Sequence, residues 1–220
     1  RLLSTSPSRS ILLQGLAHLL RFVPPVLDIS SGGHHAYLVK ADGQLERLGI
    51  RKAGDIPENL PSVVAVSTGD KHSCFVQADG KLSCIGWNDH GQCDVPGDLG
   101  PVAAVSVGLS HTCAVTIVGE LVCFGLRLFC NVPPDCGPVV AVSAGVQHTC
   151  AIRADGRLFC FGDAEQTHSH ESVGQVVAVS AGDYHTCTLG ADSKVQCFGR
   201  AGDGQCDVPA DLGLAVSVSA

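Results

Sequence analysis

The nine residues Val142-Ser-Ala-Gly-Val-Gln-His-Thr-Cys150 decide the fold, because the chain contains four further copies of them. The clearest is Val179-Ser-Ala-Gly-Asp-Tyr-His-Thr-Cys187, and weaker copies span residues 105–113, 66–74 and 29–37. The histidine that the copies share recurs at intervals of 37, 39, 37 and 37 residues. Self-similarity at a constant period is typical of proteins built from stacked structural repeats. The five marker residues are His35, His72, His111, His148 and His185.

Each copy predicts three short β-strands. Residues 139–143 form a β-branched run, and residues 149–153 form a second apolar run. Asp155-Gly156 is a hairpin signal, and residues 158–161 supply the third run. No copy contains a ten-residue stretch with the 3.6-residue periodicity of a helix. Strand-turn-strand units of this length stack into propellers or β-solenoids, and the even spacing of the hairpins favours a propeller.

These residues resemble a known family. The pattern Gly-x-x-His-Thr-x-Ala, then Asp-Gly-x-Leu-x-x-Phe-Gly and Gly-Gln, resembles the regulator of chromosome condensation repeat. The best copies are residues 145–162, 182–199 and 108–125, and the resemblance extends from about Val26 to the C-terminus. It implies an all-β fold, a β-propeller with about five recognisable blades plus a partial one. We expect the ring to be either six-bladed or incomplete, as an excerpt of a longer propeller.

The repeats also imply a division of the chain. Residues 1–25 are expected to be an N-terminal extension or linker. The repeats are expected at about residues 26–62, 63–101, 102–138, 139–175 and 176–213, with part of another at 214–220.

Residues 1–25 differ in charge from the repeats. They contain Arg1, Arg9, Arg21 and no acidic residue, so the rest of the chain accounts for −10 (−7 minus +3). An acid-free, Arg- and Ser-rich end resembles an organelle transit peptide, and a linker from a preceding domain fits equally well. The apolar run at residues 11–22 is more typical of a helix than of strands. The acidic repeats argue against nucleic-acid binding, and no apolar run approaches the roughly 18 residues of a membrane span.

The spacing of the cysteines predicts cross-strand pairs. If residues 154–156 form a three-residue loop, Arg153 faces Arg157 across the hairpin. Cys150 then faces Cys160 at a non-hydrogen-bonded position, where the Cα atoms lie about 4.5 Å apart and within reach of a disulfide.

Eight of the twelve cysteines follow this rule, with a constant separation of ten residues. The first repeat has Tyr37 and Arg47 at the equivalent positions, so each repeat has both cysteines or neither. We predict disulfides, with buried thiols and metal ligation as alternatives. The pairs are Cys74/Cys84, Cys113/Cys123, Cys150/Cys160 and Cys187/Cys197. Cys93, Cys130 and Cys206 share a position in the segment after the third strand, Cys136 is an extra, and the sequence does not indicate partners for these four.

The recurring histidines raise the question of metal binding. Five histidines lining a channel could bind a metal, but a residue required in every copy favours a structural role, such as donation to a neighbouring backbone carbonyl. His168 and His170 lie in a stretch that departs from the repeat. A solvated loop is the favoured interpretation there, and a metal site with Glu165 and Glu171 is the alternative. We therefore predict no metal site.

No catalytic motif accompanies the repeats. The sequence lacks Gly-x-Ser-x-Gly, His-Glu-x-x-His, the phosphate-binding Gly-x-x-x-x-Gly-Lys and a dinucleotide-binding fingerprint. We expect no enzymatic activity, no catalytic residue and no cofactor.

Propellers present variable loops on a rigid scaffold, so we predict a protein–protein interaction module that binds where the repeats diverge. Trp87 follows a strand and is a candidate anchor, with packing between blades as the alternative. The family resemblance implies two other functions: guanine-nucleotide exchange on a small GTPase, or substrate recognition within a larger ubiquitin ligase. The expected partner is another protein. The candidate protein-binding residues are Trp87, Asn88, Asp89, His90, Leu126, Arg127, Phe129, His168 and His170.

Overall fold

The protein is described by a computed structural model that covers residues 26–50, 55–163, 167 and 173–220. The described residues form five three-stranded antiparallel sheets, and the strands of each sheet follow one another in the sequence. No helix of the described part is long and apolar enough to cross a membrane. The predicted helix at residues 11–22, like the predicted extension at residues 1–25 to which it belongs, lies outside the described residues.

The sheets are the blades of a propeller and are numbered 1 to 5 along the chain. Blade 1 contains β1 (Val26–Ser31), β2 (His35–Lys40) and β3 (Leu45–Gly49), and blade 2 contains β4 (Val63–Thr68), β5 (His72–Gln77) and β6 (Leu82–Gly86). Blade 3 contains β7 (Val102–Val107), β8 (His111–Thr116) and β9 (Leu121–Gly125), followed by a 3₁₀ turn at Arg127–Phe129. Blade 4 contains β10 (Val139–Ala144), β11 (His148–Arg153) and β12 (Leu158–Gly162). Blade 5 contains β13 (Val176–Ala181), β14 (His185–Gly190) and β15 (Val195–Gly199).

The two ends of the blades form two faces. The upper face carries the turn between the first and second strand of each blade, and the third strand also ends there, since the Trp87 amide donates to the Lys71 carbonyl. The lower face carries the hairpin between the second and third strand. The first strands begin at the lower face, since the Val63 amide donates to the Gly43 carbonyl of the preceding hairpin. First strands of consecutive blades contact one another and are the inner strands of the propeller.

The hairpins form as the Asp-Gly signals predict. In blades 1, 2, 4 and 5 an aspartate Oδ1 accepts a hydrogen bond from the backbone amide two residues further on. In blade 4 the Arg157 amide donates to Asp155 at 3.0 Å. Gly156 follows the aspartate with φ of 82°, a conformation that favours glycine. In blade 3 Val118 replaces the aspartate, and the Thr116 hydroxyl accepts the Glu120 amide instead. The turn therefore has a similar shape in every blade although its sequence differs.

Each inner strand contains a β-bulge that the sequence pattern does not predict. In blade 4 Val139 pairs with Arg153 and Ala141 with Ile152, so Val140 is an extra residue without a partner. The side chain of Val140 is 61% exposed at the lower face. The same register shift occurs in the other four blades.

The paired cysteines face each other in four blades. Cys150 lies opposite Cys160, and the Cα atoms of the four pairs are 4.0–4.1 Å apart, as expected for a non-hydrogen-bonded position. In blade 1 Tyr37 and Arg47 occupy the two facing positions. The structure contains the disulfides Cys74–Cys84, Cys113–Cys123, Cys150–Cys160 and Cys187–Cys197.

The recurring histidine joins each blade to the next. The Nε2 atom of His111 lies 2.8 Å from the Thr149 hydroxyl of blade 4, and neither residue is exposed. The partner is thus a hydroxyl of the next blade, whereas the sequence suggested a neighbouring backbone carbonyl. The equivalent bonds are His35–Ser73, His72–Thr112 and His148–Thr186, at 3.0, 2.9 and 2.7 Å.

A glycine makes room for the imidazoles of His111 and His148. A Cβ atom added to Gly108 would lie 2.6 Å from Cε1 of His111 and would also overlap the carbonyl oxygen of Gly145 in the next blade. The glycine of the motif is therefore required by close packing within and between blades.

Apolar contacts and serine hydroxyls complete the interfaces. One cluster joins Val76 and Leu82 of blade 2 to Val102 and Phe124 of blade 3, so the hydrophobic core lies between blades. At each junction a serine hydroxyl of one inner strand accepts a hydrogen bond from a backbone amide of the next inner strand. The bonds are Thr68 to Ser30, Val107 to Ser67, Ala144 to Ser106 and Ala181 to Ser143.

Residues 215–220 continue this pattern. The Ala220 amide donates to the Ser180 hydroxyl at 2.9 Å, and the Ala215 amide donates to the Ser193 carbonyl. The segment therefore takes the inner-strand place of a sixth blade. The described residues form an open arc and not a closed ring.

The buried histidines make stability depend on pH. Burial lowers the pKa of His72, His111 and His148 to about 4 from the ordinary value of 6.5. Between these values the unfolded chain binds more protons, so the free energy of unfolding is greatest above pH 6.5 and falls as the pH drops toward 4. Urea unfolding at a series of pH values should show that His111→Gln reduces this slope by about 1.4 kcal/mol per pH unit, the contribution of one proton. His34→Gln at an exposed position is the control, and equal slopes in wild type and His111→Gln would contradict the prediction.

Candidate interaction surface

The upper face contains a cavity of about 600 Å³ at the propeller axis. Its walls are the turns between the first and second strands of all five blades. Leu109 and Val146 bring apolar side chains to the cavity from blades 3 and 4. Asp70 of blade 2 and Asp183 of blade 5 bring carboxylates, and both are exposed. The mouth therefore offers an apolar centre between two negative charges.

Trp87 lies on the same face, in the loop after β6. Its ring lies 4.5 Å from the Lys71 ammonium and packs edge-on against His90, with centroids 5.0 Å apart. These contacts are with its own repeat, and the ring is half-buried. Trp87 is therefore held in place while part of its surface stays accessible, which suits an interface anchor.

Asn88 is exposed in the loop after β6, and its side chain is hydrogen-bonded within that loop. Its amide nitrogen donates to Asp94 Oδ1 and its amide oxygen accepts the Cys93 backbone amide, both at 2.7 Å. The side chain thus fixes the loop after β6. Its neighbours Asp89 and His90 are exposed and available to a partner.

In the loop after β9 the exposed apolar side chain is Leu128 and not Phe129. Phe129 is only 6% exposed and packs against the His111 imidazole, with centroids 5.8 Å apart. Leu128, which the sequence did not single out, is 73% exposed. Arg127 is exposed and Leu126 is half-buried. A 3₁₀ turn has about three residues per turn, so its successive side chains point in three different directions, and the sequence alone does not show which one faces inward.

His168 and His170 lie outside the described residues. Over the described ranges no three His, Cys, Asp or Glu side chains are grouped as a metal site would require.

The four thiols outside the disulfides are Cys93, Cys130, Cys136 and Cys206. Burial raises the pKa of Cys93 and of Cys130 to about 11, and raises that of the other two. The Cys93 thiol donates to the Trp87 carbonyl, and Cys206 donates in the same way to Arg200. These thiols hold loops in place and are poor nucleophiles near neutral pH.

The sequence model of the "Regulator of chromosome condensation (RCC1) repeat" matches residues 63–92, 139–166 and 176–205. These three segments of the chain are thus regulator of chromosome condensation repeats. The three matched segments correspond to blades 2, 4 and 5, and each contains the histidine that bonds or faces the next repeat. Among curated proteins no sequence matches the chain.

Solved structures share the fold of this chain at low sequence identity. The ectodomain of receptor kinase CR4 from Physcomitrella patens matches with a TM-score of 0.65 and 21% identity, over 78% of this chain and 50% of that chain. The ectodomain of receptor kinase ACR4 from Arabidopsis thaliana gives 0.66 and 22%, over 79% and 71%. Prp20p from Saccharomyces cerevisiae gives 0.63 and 15%, over 76% and 56%. The chain thus spans about half of the first of these structures, and identities at this level establish the fold alone.

Removing the Asn88 side chain tests its structural role. Asn88→Ala deletes both hydrogen bonds that hold the loop, so we expect a loss of about 1 kcal/mol in unfolding free energy and clearly faster alkylation of Cys93. Time-resolved alkylation with peptide mass spectrometry measures the rate, and Cys206 in the same molecule is the internal reference. Asp89→Ala is the control at the neighbouring exposed position. Unchanged Cys93 labelling in Asn88→Ala would exclude this role.

Proposed function

We propose that this chain is a non-catalytic protein-interaction module whose upper face binds a segment of another protein. The observation that carries the proposal is the cavity at the axis, to which every blade contributes a turn of different sequence. The turn residues vary while the histidine, glycine and hydroxyl beneath them recur, which is the arrangement expected when a rigid scaffold displays a specific surface.

The chemistry of the mouth indicates the kind of segment it binds. Leu109 and Val146 are half-buried and adjacent in blade order, so they can accept one apolar side chain of a partner. Asp70 and Asp183 flank them and favour Lys or Arg on either side of that residue. We therefore expect an apolar residue flanked by basic residues.

The rim of the upper face supplies the rest of the contact area. Trp87 and Leu128 stand on the loops after β6 and β9, on the same face as the cavity. Tyr184 is 37% exposed and borders the cavity from blade 5. Aromatic side chains of this kind give large contact area at low entropic cost and are enriched at interfaces.

The recurring histidines and two of the free thiols are part of the scaffold. The Nε2 atoms of His72, His111 and His148 form buried hydrogen bonds with hydroxyls, and the thiols of Cys93 and Cys130 have raised pKa values. A binding role is consistent with both observations.

The family resemblance implies guanine-nucleotide exchange or substrate recognition for a ubiquitin ligase as finer functions. The Prp20p structure was described together with that protein's binding to Gsp1p and histones. A nucleotide-release assay on a small GTPase tests exchange activity directly and separates it from binding alone.

Selection of displayed peptides tests the proposed binding mode. Random peptides displayed on phage would be selected on the immobilised full chain, and the enriched peptides measured by fluorescence anisotropy. We expect a Lys or Arg beside an apolar residue, about tenfold weaker binding to Val146→Asp, and a smaller loss with reduced salt dependence for Asp183→Asn.

The matched control is Val118→Asp on the lower face, where the valine is 77% exposed. It should bind the peptides as the wild type does. Enriched peptides that bind Val146→Asp and Asp183→Asn with unchanged affinity would overturn the proposal, and so would a selection that enriches none.

A further inference from the structure

The lower face carries a row of exposed aliphatic side chains that the proposed binding surface does not use. They occupy the bulge position of the inner strands, where the extra residue has no pairing partner on the second strand. A fifth member occupies the equivalent position of residues 215–220. The aliphatic row consists of Leu27, Val64, Val140, Val177 and Val216, which are 45%, 46%, 61%, 50% and 68% exposed.

The members of this row lie on neighbouring inner strands. They lie at the same level on strands that contact one another from blade to blade. Blade 3 has Ala103 at this position, which is small and also exposed. Scattered exposed valines need no explanation, but a contiguous aliphatic surface is typical of a docking site.

The charges around the row are mostly negative. Lys81, Arg157 and Lys194 each pair with an aspartate of the same hairpin. In the hairpin of blade 1 Lys40 pairs with Glu46, and Asp42 is a further acid; the hairpin of blade 3 contains Glu120 and no cation. Asp98 and Asp135 lie in loops that lead into inner strands. An occupant that is apolar, basic and free of acids would complement this face.

The chain itself contains one segment with these properties. Residues 11–22, Ile-Leu-Leu-Gln-Gly-Leu-Ala-His-Leu-Leu-Arg-Phe, are mainly aliphatic, and residues 1–25 contain three arginines and no acid. The segment joins the propeller at Val26, where β1 begins on the lower face beside Leu27. Twelve residues span about 18 Å as a helix and about 40 Å when extended, enough to cross several inner strands in either case.

We propose that residues 11–22 dock on the aliphatic row of the same molecule. Docking buries the bulge side chains, places the arginines near the acidic hairpins and loops, and closes the lower face. The upper face is then the one left open to partners. This inference is independent of the peptide-binding experiment, since it concerns the opposite face.

Photo-crosslinking in the full chain tests the proposal. With p-benzoylphenylalanine in place of Leu16, irradiation followed by digestion and mass spectrometry should give crosslinks to peptides that contain Val64, Val140 or Val177. The yield should not depend on protein concentration, because the contact is intramolecular. Val140→Asp combined with Val177→Asp should reduce the yield by about tenfold, and Leu128→Asp on the upper face should leave it unchanged.

A second variant guards against misfolding of the propeller. Leu12→Asp combined with Leu20→Asp alters only the segment and should cause the same loss of crosslinking. Hydrogen exchange should in parallel show protection of residues 12–21 in the wild type that both double variants lose. Crosslinks confined to the upper face, a yield that rises with concentration, or no crosslink to the propeller would each overturn the proposal.

Discussion

The stacking of the blades depends on a buried hydrogen bond from a histidine of one blade to a hydroxyl of the next. Four consecutive junctions contain it, with Nε2–Oγ distances of 2.7–3.0 Å. At three of them burial lowers the pKa of the imidazole to about 4, so the ring is uncharged at neutral pH. Glycine, histidine and threonine of the motif thus act as one packing unit: the glycine makes room, the histidine donates, and the threonine accepts from the blade before.

Two kinds of interaction stabilise the propeller, one within blades and one between them. Disulfides join the second and third strands within blades 2 to 5, and hydrogen bonds with apolar clusters join one blade to the next. The two systems meet at the threonine, whose hydroxyl also lies 3.6–3.7 Å from a disulfide sulfur of the preceding blade. With the scaffold fixed below them, turns such as Asp70-Lys71 and Asp183-Tyr184 are free to differ, and the upper face acquires its specific chemistry.

The register of the hairpins could be predicted from the sequence, whereas the bulge of the inner strand and the contacts between blades could not. The facing of Cys150 and Cys160 follows from counting back from one hairpin, so the register was predictable. The hydroxyl partner of His111 lies 38 residues away in another blade, and no local rule identifies it. Val140 resembles any other residue of a β-branched strand, so its bulge was not foreseen. Phe129 was predicted as an interface residue but is buried against His111, because burial depends on the packing of the whole junction.

The state of the imidazoles tests this account most directly. The Thr112 hydroxyl donates to the Gln92 carbonyl, so it must accept from His72, whose Nε2 therefore carries the proton. At the other junctions Nδ1 is buried without a partner, which also favours the proton on Nε2, because a buried N–H without an acceptor is costly. Long-range ¹H–¹⁵N correlation spectra at pH 7 should show His72, His111 and His148 as neutral imidazoles protonated at Nε2. Protonated or Nδ1–H imidazoles at these three positions would contradict it.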